Sequence, residues 1–227
     1  MTGVIFDLDG TLVDTNDFHV EAWHEAFRQL GHDVPRGRIV SEIGKGGDKL
    51  VPLIIGEAGE ASDGEALRKA HKANFIALAN RTKIRVFPGT EALLAELRQR
   101  AVRTAVATSS AKQHVDVIQA SCGLHIDRLV THLVTASDAA ESKPAPDLVQ
   151  TAAARLAVGP EHTVMVGDTP YDGEACRRAG VGFLGVLCGG VPAVTLHDAG
   201  TRAIYADPAD LLRRLDSILR ASPSRRK

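Results

Sequence analysis

The sequence predicts an α/β protein: a parallel sheet buried on both faces by helices, with a helical insertion near its start. Three observations carry that expectation. Short apolar runs recur along the 227 residues, each ending in polar or glycine-rich residues and followed by a helical stretch, which is how a parallel sheet with crossover helices reads. About 90 residues separate the first run from the second, where one crossover takes roughly 30. The intervening segment is itself helical in period.

In chain order, Val4-Ile-Phe6 is the first strand. Asn16–Leu30 then places Phe18, Ala22, Ala26 and Leu30 at a spacing of four, with Gly31 as its C-cap, and further helices are expected at Arg36–Glu42, Asp48–Glu57 and Gly64–Arg81. Residues 15–85 therefore form a helical cap, and residues 1–14 and 86–227 the α/β core. After the insertion, Pro88–Arg100 puts Leu93, Leu94 and Leu97 on one face. Arg103–Ala107 is the second strand, Ala111–Cys122 a helix, Leu129–Val134 a strand, Asp147–Leu156 a helix, and Thr163–Val166 and Gly182–Leu187 two more strands. Ala209–Arg220 closes the pattern as a helix, and Ser222–Lys227 has no apolar anchor, so that tail is expected to fray. Ligands of open α/β sheets bind beyond the carboxyl ends of the strands, which places the insertion over the expected site as a lid.

Composition narrows the function class. With 44% apolar and 24% charged residues and a net charge of -1, the chain is neither disordered nor a strongly basic nucleic-acid binder. The longest uncharged stretch, Ala179–Leu196, is broken by Gly180, Gly182, Gly185, Gly189, Gly190 and Pro192, so it reads as strand and loop, not as a membrane span. The start shows no basic region followed by a cleavage site, and a cytoplasmic location is expected. Cys122, Cys176 and Cys188 are odd in number and lie in no metal-binding spacing, so they are expected to be reduced.

Four segments carry chemistry. Asp7-Leu-Asp9-Gly10-Thr11 follows directly on the first strand, and the alternation of a strand points both carboxylates the same way. Two like charges buried side by side are costly unless a cation or a proton lies between them, and a divalent metal is the natural partner. Thr108-Ser109-Ser110 ends the second strand in hydroxyls before a helix, an arrangement that reads equally as a phosphate cradle and as an N-cap cluster. Ser142-Lys143-Pro144-Ala145-Pro146 presents one lysine on a rigid backbone. Val164-Met-Val-Gly167-Asp168 repeats the strand-then-acid arrangement, with Asp172 one helical turn further on, where it can hold a water or Lys143.

Taken in order, these segments resemble the haloacid dehalogenase superfamily of Mg²⁺-dependent phosphotransferases, from Val4 to about Ala206. Asp7–Trp23 is most similar to the subgroup that holds phosphoglycolate phosphatase and β-phosphoglucomutase. The resemblance implies a Rossmann-like core with an inserted cap of the C1 type. It implies Asp7 as the nucleophile that becomes an aspartyl-phosphate and Asp9 as the general acid/base. Mg²⁺ would be held by the Asp7 carboxylate, the Asp9 backbone carbonyl and the Asp168 carboxylate, with Asp172 behind them. Thr108 and the Ser109 N–H would grip the phosphoryl group, Lys143 would neutralise it, and Gly10, Thr11 and Ser110 would complete the phosphate-binding set. His19 either contacts Asp9 or substrate, or is a packing residue of the first cap helix. In the glycine-rich Ile43–Leu50, Lys45 and Lys49 either meet a second anionic group of the substrate or belong to a solvated loop.

The acid at position 9 favours a phosphate ester over a carbon–halogen bond. Gly167-Asp168-Thr169 and Thr11 stand where β-phosphoglucomutases tend to have Glu-Asp-Ser and Val, so a phosphatase is expected ahead of a mutase. A non-catalytic binding module is disfavoured because every catalytic position holds a competent residue. The expected partner is a small phosphorylated metabolite, with no nucleic acid and no membrane, and the chain is expected to be a monomer or weak dimer.

Overall fold

The structure, a computed structural model, describes residues 3–220. The chain runs β1 (Gly3–Phe6), β2 (Val13–Asp14), α1 (Asn16–Gln29), α2 (Arg36–Val40), α3 (Gly47–Arg81), β3 (Arg85–Val86), α4 (Thr90–Gln99), β4 (Arg103–Ala107), α5 (Lys112–Cys122), α6 (Ile126–Leu129) and β5 (His132–Val134). It continues through α7 (Asp147–Leu156), β6 (Thr163–Gly167), α8 (Pro170–Ala179), β7 (Gly182–Val186), α9 (Ala193–Asp198), β8 (Ile204–Tyr205), α10 (Pro208–Arg213) and α11 (Leu215–Arg220).

Six strands form one parallel sheet in the order β5-β4-β1-β6-β7-β8. The strands read as unbroken apolar runs because both faces are covered. Val4, Phe6, Val106, Val164, Val166, Leu184 and Val186 pack on one face with leucines of α4 and apolar residues of α5. Ile5, Ala105, Ala107, Met165 and Phe183 pack on the other against α7 and α8. The period of two thus survives as a division between two cores. Because β1 lies between β4 and β6, Asp7, Thr108 and Asp168 emerge from adjacent strand ends.

α1, α2 and α3 lie between β2 and β3 and have an apolar cluster of their own, including Val20, Trp23, Phe27, Ile39, Leu50 and Leu67. β2 and β3 pair antiparallel, Val13 with Val86 and Asp14 with Arg85, and the Arg85 guanidinium lies 2.6 Å from the Asp14 carboxylate. The chain leaves and re-enters the sheet region through this two-stranded stem.

Four local expectations change. The helix expected at Asp48–Glu57 ends at a kink at Gly56 (φ 75°, ψ 170°), a backbone conformation open to glycine, but the one expected from Gly64 begins directly after that kink, so the two share the range of α3. The strand expected at Leu129–Val134 begins only at His132, because Ile126–Leu129 closes a helical turn whose first N–H donates to the Gln119 side chain at 2.7 Å. The helix expected over Ala209–Arg220 is divided at Arg214, and Asp207 caps its first half by accepting from Asp210 N. β2, β3 and β8 were not expected, since two-residue strands carry no readable period. The tail expected to fray, residues 222–227, lies outside the described residues.

Candidate active site

Asp7 extends the ladder of β1, with its N–H donating to the Val166 carbonyl at 2.8 Å, and its side chain is buried at the carboxyl end of the strands. The Lys143 ammonium lies 2.5 Å from Asp7 Oδ1 and 2.8 Å from Asp172 Oδ1. The other Asp172 oxygen accepts from the Thr169 N–H at 3.1 Å and hydroxyl at 2.7 Å, closing a capping box at the start of α8. Of the two partners expected for Asp172, the structure shows the lysine.

Asp7, Asp168 and Asp172 are all buried, and each can present a carboxylate oxygen within 4.8 Å of the others. Three buried carboxylates face one ammonium, and the imbalance shows in their proton affinities. Burial, reinforced by Asp172, Asp168 and Asp9, holds the Asp7 carboxyl well above its ordinary range despite Lys143. Burial and Asp172 push Asp168 up to about 7, against the pull of Asn16, Thr11 and Lys143. Burial works against the charge on Lys143, but Asp172 and Asp7 outweigh it and keep the lysine protonated. A divalent cation would supply the missing positive charge, and an all-oxygen donor set of this kind suits hard Mg²⁺.

The Asp9 carboxylate points toward the helical insertion. Oδ1 accepts from Thr15 Oγ1 at 2.6 Å and lies 3.0 Å from His19 Nε2, while Oδ2 accepts from Thr108 Oγ1 at 3.1 Å and Ser110 Oγ at 2.8 Å. Burial alone would raise this carboxyl, but the charge and hydrogen bond of His19, with Thr15 and Ser110, hold it well below the usual carboxylate range. An ionised carboxylate only accepts, so His19 Nε2 carries the shared proton. His19 Nδ1 in turn lies 3.2 Å from His71 Nε2, and His71 stacks on Trp23 with ring centroids 4.0 Å apart.

The other expected site residues are mostly engaged with protein groups. Thr108 and Ser110, expected to bind the phosphate, line the main cavity, and both hydroxyls donate to Asp9, since a buried carboxylate recruits donors within reach. Ser109 Oγ is buried with no hydrogen-bond partner among the described residues. Thr11 is fully buried, its hydroxyl donates to Asp168 Oδ1 at 3.0 Å, and it is not among the residues that line the main cavity. Gly10 (φ 73°) lies against the same carboxylate: a Cβ there would be 2.2 Å from Asp168 Oδ2. Lys45 lines the cavity, paired with Glu42 and 4.3 Å from the Tyr171 ring centroid. Lys49 is paired with Glu141 at 2.7 Å and faces a separate pocket, not the main cavity.

That main cavity, about 730 Å³, is walled by Asp7, Asp9, Thr108 and Lys143 on the sheet side and by His19, Trp23, Lys45, His71 and Lys72 on the insertion side. Sequence reasoning missed Thr15, Asn16, His71 and His114. His71 alone left a legible signal, a polar residue on the apolar face of Leu67, Phe75 and Ala79. Thr15 stands at the N-cap of α1, but its hydroxyl goes to Asp9 and not to the helix N–H groups that an N-cap ordinarily serves.

The comparisons agree with this geometry. The sequence profile of the haloacid dehalogenase-like hydrolases matches residues 4–186. A phosphoglycolate phosphatase of Cupriavidus necator is 34% identical over 218 residues, covering 92% of each chain. Protein CbbY of Cereibacter sphaeroides is 30% identical over 186 residues, 78% of this chain and 80% of that protein. The crystal structure of a hydrolase from Pseudomonas syringae superposes with a TM-score of 0.89 at 31% identity, over 96% of this chain and 99% of that one. No helix among the described residues is long and apolar enough to cross a membrane. With motif order, strand order, site geometry and extended similarity in agreement, the chain belongs to the haloacid dehalogenase-like hydrolase family.

Proposed function

We propose that this enzyme is a Mg²⁺-dependent phosphatase that hydrolyses a small phosphorylated metabolite through an aspartyl-phosphate, with residues 15–85 acting as a cap over the site. The observation that supports this best is the meeting of Asp7 and Asp168 at neighbouring strand ends with Lys143 paired to Asp7, Asp9 beside them and a cavity opening over Asp7, Asp9 and Lys143.

Asp7 Oδ attacks phosphorus in line, the bond to the leaving alcohol breaks, and Asp9 gives that alcohol a proton. Water then attacks the acyl phosphate while Asp9 takes its proton, releasing inorganic phosphate and restoring Asp7. Asp9 is held ionised, the form the second step requires, although the donors that hold it so also weaken it as a base. In the first, the negative charge of the arriving phosphate raises its proton affinity, so the same group is drawn toward the acid form. Lys143 compensates charge on Asp7 and on the phosphoryl oxygens, and its double ion pair fixes its position before substrate arrives. Bound Mg²⁺, held by the Asp7 and Asp168 carboxylates and the Asp9 carbonyl, would neutralise the equatorial phosphoryl charge.

A cavity of this size holds a metabolite of several carbons, and the similarity to a phosphoglycolate phosphatase supports a small phosphorylated acid as substrate. The assay is release of inorganic phosphate from phosphoglycolate, sugar phosphates and nucleotides, with and without Mg²⁺. Absence of Mg²⁺-dependent release from every ester would refute the reading. The contact between His19 and Asp9 favours one alternative, a sugar phosphomutase, in which the insertion controls who attacks the aspartyl-phosphate. Phosphorus NMR of a sugar 1-phosphate decides: free phosphate supports the phosphatase, and interconversion with the 6-phosphate the mutase.

A further inference from the structure

α1 begins with a residue that reaches back to the strand ends. Asn16 Nδ2 donates to Asp168 Oδ2 at 3.0 Å and to the Gly189 carbonyl at 2.9 Å, so both amide protons are used and the side chain has one orientation. Thr11 Oγ1 donates to the other Asp168 oxygen at 3.0 Å. Each oxygen of the carboxylate therefore keeps one lone-pair direction free and has the other fixed by a donor.

The surroundings are built for this contact. A Cβ on Gly10 would lie 2.2 Å from Asp168 Oδ2 and 2.3 Å from Asn16 Nδ2, and a Cβ on Gly189 would lie 1.9 Å from Asp168 Oδ2. Two glycines from different loops thus leave room for one amide–carboxylate pair. Its neighbour Thr15 donates to Asp9, so consecutive residues at the start of the insertion hold the two acids on which the chemistry depends.

We propose that Asn16 is a positioning residue for the metal: its amide holds the Asp168 carboxylate in the orientation in which it receives Mg²⁺, and thereby ties the first helix of the insertion to the metal site. This rests on Asp168 as a metal ligand. The competing possibility is that Asn16 only anchors α1 to the loop after β7 through the Gly189 carbonyl, which predicts lost stability without a change in metal affinity.

The two separate in one set of measurements on chelator-stripped protein: Mg²⁺ affinity by titration calorimetry and thermal unfolding in EDTA. Asn16→Ala is expected to weaken Mg²⁺ binding about tenfold, the low end of what loss of a group orienting a metal ligand causes. kcat on p-nitrophenyl phosphate at saturating Mg²⁺ should return to within a few fold of wild type. An affinity within twofold of wild type, with or without a lowered Tm, overturns the proposal. Asn16→Ser keeps a residue suited to a helix start but too short to reach Asp168, and it gives the same reading should the alanine variant not fold. Asp168→Ala tests the underlying assignment and should abolish the binding heat. If it binds Mg²⁺ like wild type, the metal-site reading fails and Asn16 falls with it. If it loses binding while Asn16→Ala keeps it, Asn16 alone is refuted.

Discussion

The strand ends and the helical insertion face each other across one cavity and are built on opposite plans. At the strand ends charge is crowded: Asp7, Asp168, Asp172 and Lys143 are all nearly inaccessible, and burial has driven the proton affinities of Asp7 and Asp168 upward. On the insertion side the buried groups are the rings of His19, His71 and Trp23, supported from α5 by His114, while the cations Lys69 and Lys72 line the cavity with no ion pair among the described residues. Burial there works in the other direction, holding His71 well below its ordinary range and bringing His114 to about 4. The contrast teaches a division of labour. On the proposed function, the groups that would stabilise charge at phosphorus stand at the sheet, and those that would meet the rest of a substrate stand on helices with their own small core.

The largest effect should come from the sheet side. Asp7→Asn is isosteric but neither accepts a phosphoryl group nor supplies an anionic metal ligand, and turnover should fall by more than about a hundredfold, roughly 3 kcal/mol of barrier. Acid quenching of wild type with labelled phosphate ester should trap label on Asp7. Residual activity above a hundredth would remove Asp7 as nucleophile and dissolve the contrast.

Lys143→Ala tests how far the sheet side depends on balance. It leaves Asp7 and Asp172 buried without their partner, and breaking a buried pair costs about 3–5 kcal/mol of stability. Lys143→Ala should therefore unfold at a much lower temperature in EDTA, and Mg²⁺ should recover part of the loss. A Tm within about 2 °C of wild type would mean that the lysine is not the counter-ion of this cluster.

The opposed pKa shifts give a sharper test. Asp168, ordinarily at 3.8 and held up to about 7, keeps a proton in the native state that the unfolded chain has lost. The stability it gives without Mg²⁺ is complete below 3.8 and disappears as pH rises through about 7. His114, ordinarily at 6.5 and brought down to about 4, stays neutral when folded. Its contribution is present above 6.5 and lost as pH falls toward 4. Thermal melts of metal-free protein should thus decline on both sides, Mg²⁺ should raise Tm more at pH 8 than at pH 5, and His114→Gln should flatten only the acid limb. Equal Mg²⁺ shifts at both pH values would break the first half of this expectation, and an unchanged acid limb the second.

On the insertion side the effects are smaller and substrate-dependent. Lys72→Ala and Lys45→Ala should raise KM for a doubly anionic metabolite by several fold, about 1 kcal/mol each, while p-nitrophenyl phosphate, with no second anion, changes little. Lys49→Ala should do least, because its ammonium is engaged with Glu141 outside the cavity. Equal KM effects for Lys49→Ala and Lys45→Ala would show that the insertion closes further over substrate than the present geometry does.

Read alone, the sequence determined what is local. The apolar runs, their alternation with helices and the over-long interval after Asp9 specify a parallel sheet with helices inserted, because burial on both faces and crossover length leave their mark in consecutive residues. The acids and hydroxyls at strand ends, and the lysine set among prolines and turn residues, were legible for the same reason. Which groups touch was decided only in three dimensions. Thr108 and Ser110 turn to Asp9, Thr11 and Asn16 to Asp168, and His71 to His19 across 52 positions. Lys45 and Lys49 sit four apart and both line a second pocket, yet only Lys45 also reaches the main cavity. A buried carboxylate takes whatever donors the packed elements bring within about 3 Å, and that choice depends on where distant segments dock.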